Sequence, residues 1–81
     1  MGDYRPISCV AHERLEFAVL RRQKLRLHLR DADGFEQALL VLATDVATRD
    51  GAEWLSYRDE AGNAGVVRLD YIVAAEPVQG V

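Results

Sequence analysis

A single cysteine, Cys9, leaves no possibility of an internal disulfide, and a thiol standing alone fits a reducing compartment. Other metal ligands are as scarce: two histidines, His12 and His28, with no second cysteine, fall short of the four-ligand spacing of a structural zinc site. Long apolar runs are missing as well. The longest, Ala38 to Ala43, is far shorter than the ~20 residues that a membrane helix needs. The opening residues, Met1 to Pro6, lack the apolar core of a signal peptide, so a cytoplasmic location is expected. The glycines make neither a GxGxxG fingerprint nor a phosphate loop; Gly34, Gly51, Gly62 and Gly65 fall where turns are expected.

Catalytic groupings are absent in the same way. Cys9 and His12 are three apart and would share a helix face, but no orienting group or oxyanion donor accompanies them. Cys9 reads instead as a small buried thiol where an arm meets a helix. The close carboxylates Asp31 and Asp33, or Asp59 and Glu60, lie in turn-rich sequence where Asp serves the backbone. The expectation is a protein without enzyme activity, cofactor or metal.

What is present describes one small folded domain over residues 1–81. With 49% hydrophobic and 28% charged residues the chain is globular rather than disordered, and at this length it buries roughly 60–65% of its unfolded surface. The net charge of −3 makes it a poor non-specific ligand for nucleic acid and directs attention to basic partners. The charge is unevenly spread. Residues 21 to 30 hold Arg21, Arg22, Lys24, Arg26 and Arg30 with no acid, whereas seven carboxylates between Asp45 and Glu76 face only Arg49, Arg58 and Arg68.

Pro6 favours an extended arm over residues 1–8. Ser8 is a candidate N-cap for a helix over residues 10–22, with Ala11, Leu15 and Ala18 at helical spacing and Arg21 and Arg22 at its C-terminal end. Strands are expected over residues 24–75. Lys24 to Arg30 alternates three leucines with Arg26, His28 and Arg30, a half-buried strand with a solvated basic face. Asp31-Ala32-Asp33-Gly34 is a turn. Phe35 to Leu42 is read as a strand buried on both faces, although its Ala and Leu residues also suit a helix. Asp45 to Gly51 is read as a polar loop, and Glu53 to Arg58 as a strand with Trp54 and Tyr57 on opposite faces. Asp59 to Gly65 is a hairpin connection. Val66 to Asp70 and Tyr71 to Ala75 are two strands or one bent strand, before a tail over 76–81. One helix followed by four or five short antiparallel strands predicts a mainly β (α+β) fold: a small, strongly bent barrel that hides its edges.

Tyr4-x-Pro6-Ile7-x-Cys9, Leu15-Glu16 and the strand ending in Asp31-x-x-Gly34 resemble the start of the Rof family of Rho-binding antiterminators. Arg49-x-x-x-Glu53-Trp54-Leu55 and Arg68-Leu69-Asp70-x-Ile72 resemble later segments of that family, in the same order, so the likeness covers roughly residues 4 to 75. The resemblance implies an Sm-like barrel with an N-terminal helix. It also implies a partner and an activity: binding the N-terminal RNA-binding domain of the Rho termination factor and blocking RNA access, and so antitermination. By the same likeness the partner-binding residues are Tyr4, Glu13 and Glu16 around the helix, and Arg49, Asp50 and Glu53 around a strand-to-strand loop. The chain departs from the family pattern after the cysteine, where Val10-Ala11-His12 stands in place of extra aspartates. A different reading of the residues is an RNA-binding protein that uses the basic segment from Arg21 to Arg30.

Overall fold

The computed structural model describes residues 7–78; the expected arm up to Pro6, including Tyr4, and the last three residues of the tail lie outside the described residues. Helix α1 spans Cys9–Arg21. It begins where Ser8, in extended geometry, turns its hydroxyl to accept the Ala11 N–H at 3.1 Å. It ends one residue earlier than expected because Arg22 adopts the left-handed conformation (φ 52°, ψ 45°) and the Gln23 N–H closes back on the Ala18 carbonyl. Leu15 and Ala18 are the buried stripe. Cys9 is exposed, which corrects the reading of a buried thiol: as the first helical residue it precedes the stripe that meets the sheet.

Five antiparallel strands follow: β1 (Lys24–Arg30), β2 (Glu36–Arg49), β3 (Ala52–Asp59), β4 (Ala64–Arg68) and β5 (Ile72–Pro77), ordered β4-β3-β2-β1-β5 in one sheet. β1 matches the alternation in the sequence, with Leu25, Leu27 and Leu29 buried and the intervening cations outward. β5 runs on to Pro77, so it takes in the first two residues expected in the tail.

The largest departure is β2. It continues through the segment expected to be a polar loop, and only Asp50 and Gly51 remain as the turn. β2 has two neighbours to serve, pairing with β1 over residues 36–42 and with β3 over residues 41–49. Between Ala43 and Asp45 the register shifts, leaving Thr44 as an extra residue. Inward positions are therefore odd before the bulge (Val41, Ala43) and even after it (Val46), a phase change that disguises the strand in a pattern search. Nor is the start of β2 buried on both faces, because Glu36, Gln37 and Ala38 project beyond the core and Phe35 precedes the strand as an exposed turn residue.

Two turns share one design. In Asp31-Ala-Asp-Gly34 the Asp31 carboxylate accepts the N–H groups of Asp33 and Phe35, each at 2.9 Å; in Asp59-Glu-Ala-Gly62 the Asp59 carboxylate accepts those of Ala61 and Asn63 at the same distance. Gly34 and Gly62 take positive φ at the same place in each.

β4 and β5 are the two edges of the sheet, yet a single 3-10 turn, Leu69–Tyr71, connects them. Flat, five strands would hold their edges about 19 Å apart at ~4.8 Å per strand. The four Cα steps from Arg68 to Ile72 reach at most about 15 Å. The sheet must curl, as the sequence led one to expect, and the curl gathers Leu27, Leu55 and Leu69, each with 0% exposure, into one core capped by Leu15 and Ala18.

The connecting turn is braced by a two-pronged ion pair. Arg68 Nε donates to Asp70 Oδ1 at 2.8 Å and Nη2 to Oδ2 at 2.5 Å, while the guanidinium lies 4.7 Å from the centre of the Tyr71 ring. The two side chains are only 14% and 10% exposed and flank the buried Leu69. Asp70→Asn leaves a largely desolvated guanidinium short of its counter-charge and should cost about 2–4 kcal/mol in urea unfolding. Replacing both members together (Arg68→Met with Asp70→Leu) should recover part of that loss.

β3 and β4 make a second close contact. A Cβ added at Gly65 would come within 2.5–2.8 Å of the Tyr57 ring, which lies across that strand position and packs on the core. Gly65→Ala should therefore destabilise by about 1–2 kcal/mol. The penalty should shrink in a Tyr57→Leu background, a coupling that a double-mutant cycle measures.

Candidate functional site

The residues singled out around the helix and the loop fall on two elements that the fold joins. Glu13 and Glu16 are both exposed on α1, about 60° apart around the helix axis. Glu53 is the second residue of β3 and points the same way as Leu55 and Tyr57, toward the side of the sheet that α1 covers. His12 ties the two elements together. Its Nε2 meets Glu53 Oε1 at 2.5 Å and its Nδ1 lies 3.5 Å from Glu16 Oε1. Toward Glu53 the imidazole must be the donor, since an ionised carboxylate only accepts. Nothing in the sequence signals this role of His12, because a contact across 41 positions leaves no periodic pattern.

The β2–β3 connection carries the rest. Arg49 faces Ala52 in the ladder, and Asp50 and Gly51 form a two-residue turn with φ of 53° and 76°, the left-handed pair that suits a tight hairpin. Asp50 is exposed at its tip. Trp54 donates its indole N–H to the Arg49 carbonyl at 3.0 Å, and the Arg49 guanidinium stands 5.7 Å from the indole ring centre. Trp54 thereby fixes the end of the hairpin. Glu16 and Glu53 are brought together through His12, with Arg49 and Asp50 on the adjoining turn; Tyr4 lies outside the described residues.

The opposite pole is more neutral than its sequence suggests. His28 Nε2 donates to Glu36 Oε1 at 2.8 Å, and Arg30 donates to Glu36 Oε2 through both Nε and Nη2, at 3.2 Å and 3.0 Å. His28 is thus engaged rather than merely solvated. Arg26 lies in register opposite Glu76 of β5. Among the described residues no group of three or more His, Cys, Asp or Glu side chains is placed to hold a metal, and no helix is long and apolar enough to cross a membrane.

The outstanding side chains of this curled, helix-capped sheet are surface charges set on rigid elements, the equipment of a protein that acts by binding another macromolecule. Comparison with protein families makes this specific: the model of the ROF family, modulators of Rho-dependent transcription termination, matches residues 6–80, and the chain belongs to that family. It is a non-enzymatic regulator of Rho, and membership implies an interaction with Rho. No curated protein matches the chain.

The Glu36 cluster gives a pH test. Hydrogen bonds from His28, then those and the positive charge of Arg30, hold the Glu36 carboxyl below the usual range. A carboxyl more acidic in the folded than in the unfolded chain adds stability above its unfolded pKa, and that stability is lost as the pH falls through the folded value. Glu36→Gln should therefore lower stability at pH 7, and the difference from the unaltered chain should close as the pH drops below the carboxylate range in a series of thermal melts.

Proposed function

We propose that this chain modulates termination by binding the N-terminal RNA-binding domain of Rho and keeping RNA out of it. The observation that carries the reading is the contact of His12 with Glu53, which makes the exposed flank of α1 and the β2–β3 hairpin one continuous surface. Glu13, Glu16, Asp50 and Glu53 supply negative charge there, with Arg49 as a polar neighbour, and such a surface complements a site built to receive phosphates. Tyr4 belongs to the same proposed contact by resemblance.

The contact is rigid where it matters. Ser8 caps the helix, Trp54 pins the hairpin, and His12 sets the distance between them. Docking such a surface orders few groups, which favours affinity. A protein that acts this way works where Rho and nascent RNA meet, and so in the cytoplasm.

The RNA-binding alternative would rest on Arg21, Arg22, Lys24 and Arg26, since Arg30 is committed to Glu36. One set of titrations separates the two. Charge reversal at Glu13 and Asp50 (Glu13→Lys with Asp50→Lys) should weaken binding to Rho at least about tenfold while the circular dichroism spectrum is kept, and RNA should compete with the unaltered chain for Rho. Undiminished affinity would remove the acidic face from the mechanism, and binding to Rho already saturated with RNA would remove the competition. Tight binding of labelled RNA by the chain alone at low salt would favour the alternative.

A further inference from the structure

Around α1 the side chains fall into three stripes at about 100° per residue. Ala11, Leu15 and Ala18 face the sheet. Glu13 and Glu16 lie on one flank. Val10, Arg14, Phe17 and Arg21 lie on the other, and this second flank plays no part in the surface described above.

It borders a groove between α1 and β5. Two hollows of about 400 Å³ and 360 Å³ share Arg14, Leu15 and Ala75, so they run end to end along the helix. The floor is aliphatic, from Leu15, Ala18, Leu25 and Ala75. Phe17 stands in its wall with 57% of its surface exposed, and Val10 and Val73 are similarly uncovered. Five consecutive residues of β5, Ile72 to Glu76, line the second hollow. Alternate side chains of a strand point to opposite faces, so a continuous run can line a groove only if the strand's edge faces it. β5 is an edge strand, and its backbone groups on the side away from β1 have no strand partner among the described residues.

The charge on this groove is positive on balance: Glu76, the one carboxylate among its described lining residues, lies in register opposite Arg26 of β1. Arg14 and Arg21 line it with no carboxylate partner among the described residues, and Arg21 rests 5.6 Å from the Phe17 ring centre. Arg22 and Lys24 follow close by in the chain.

We propose that this groove docks an extended acidic segment of a partner protein, which adds to β5 as a sixth strand and sets one bulky apolar side chain beside Phe17 with carboxylates at Arg14 and Arg21. Strand addition supplies main-chain hydrogen bonds, and the pocket for alternate side chains supplies selectivity. Nucleic acid fits the groove less well. Phe17 is the only aromatic side chain among the described residues that line it, and its floor is aliphatic, so successive bases would find no stacking platform.

The test titrates the full isotope-labelled chain with a synthetic peptide, Asp-Glu-Val-Phe-Val-Glu-Asp, blocked at both ends, and follows backbone amide resonances. Saturable shifts confined to Val10, Arg14, Phe17 and Arg21 of α1 and to β5, with the amides of Glu13, Glu16 and the β2–β3 hairpin unmoved, support the proposal. So does an affinity at least about tenfold lower for Arg14→Glu with Arg21→Glu, and for peptides with Gln and Asn in place of the acids or Ser in place of Phe. Both arginines are exposed, so the variant keeps its fold, which the same spectra verify. The proposal is overturned by absence of saturable shifts at millimolar peptide, by shifts on the Glu13 and Glu16 flank, or by equal binding of the uncharged peptide. Sedimentation showing the groove occupied by a second copy, or an oligonucleotide displacing the peptide from it, overturns it equally. None of these outcomes depends on whether the acidic flank binds Rho.

Discussion

Three residues carry the chain from one edge of the sheet to the other, and the geometry of the molecule follows from how short that passage is. Leu69 fills the centre of the core while its neighbours Arg68 and Asp70 grip each other across it. Without the passage, Leu27 on β1 and Leu55 on β3 would lie on an open, gently twisted sheet with one face wet. With it, they converge on Leu69, and α1 covers what remains with Leu15 and Ala18, Val19 packing beside them. A chain of 81 residues has little apolar surface to spare, and curling the sheet lets one set of leucines serve as both floor and walls.

That economy frees most of the helix for the outside. Only one of its three stripes is spent on the core, so two flanks of opposite charge are exposed on either side of it. The acidic flank is tied to the β2–β3 hairpin through His12, and the basic flank overlooks the edge of β5 that has no strand partner among the described residues. The uneven charge visible along the sequence thus becomes a division in space. β1 contributes less to that division than its run of basic residues suggests, because Glu36 pairs with Arg30 and holds His28.

What the sequence showed plainly was whatever depends on neighbours in the chain. The leucine alternation of β1, the Ser8 cap and the two Asp-x-x-Gly turns are local, and each was legible. β2 was not, because Thr44 breaks the two-residue period at the very place where the strand changes partners, and the polar residues beyond it then look like a loop. For Cys9 residue type is a poor guide to burial, because at a helix terminus the direction of the side chain decides. The proposed partner-binding residues rest on family likeness and not on pattern. Their link through His12 and Glu53 spans half the chain, and the groove beside Phe17 is formed by a strand more than fifty positions away from it.

The bulge at Thr44 has a further meaning for how such a chain can drift in length. β2 pairs with β3 on both sides of it, over residues 41–43 and 45–49, and one unpaired residue absorbs the shift between the stretch that also pairs with β1 and the stretch that does not. A deletion there would force a choice: keep Val41 inside and turn Val46 to solvent, or the reverse. The Asp-x-x-Gly turns, out at the surface, carry no such obligation. Among descendants of this sequence, gaps and insertions should collect at those two tips, while the middle of the longest strand keeps its count.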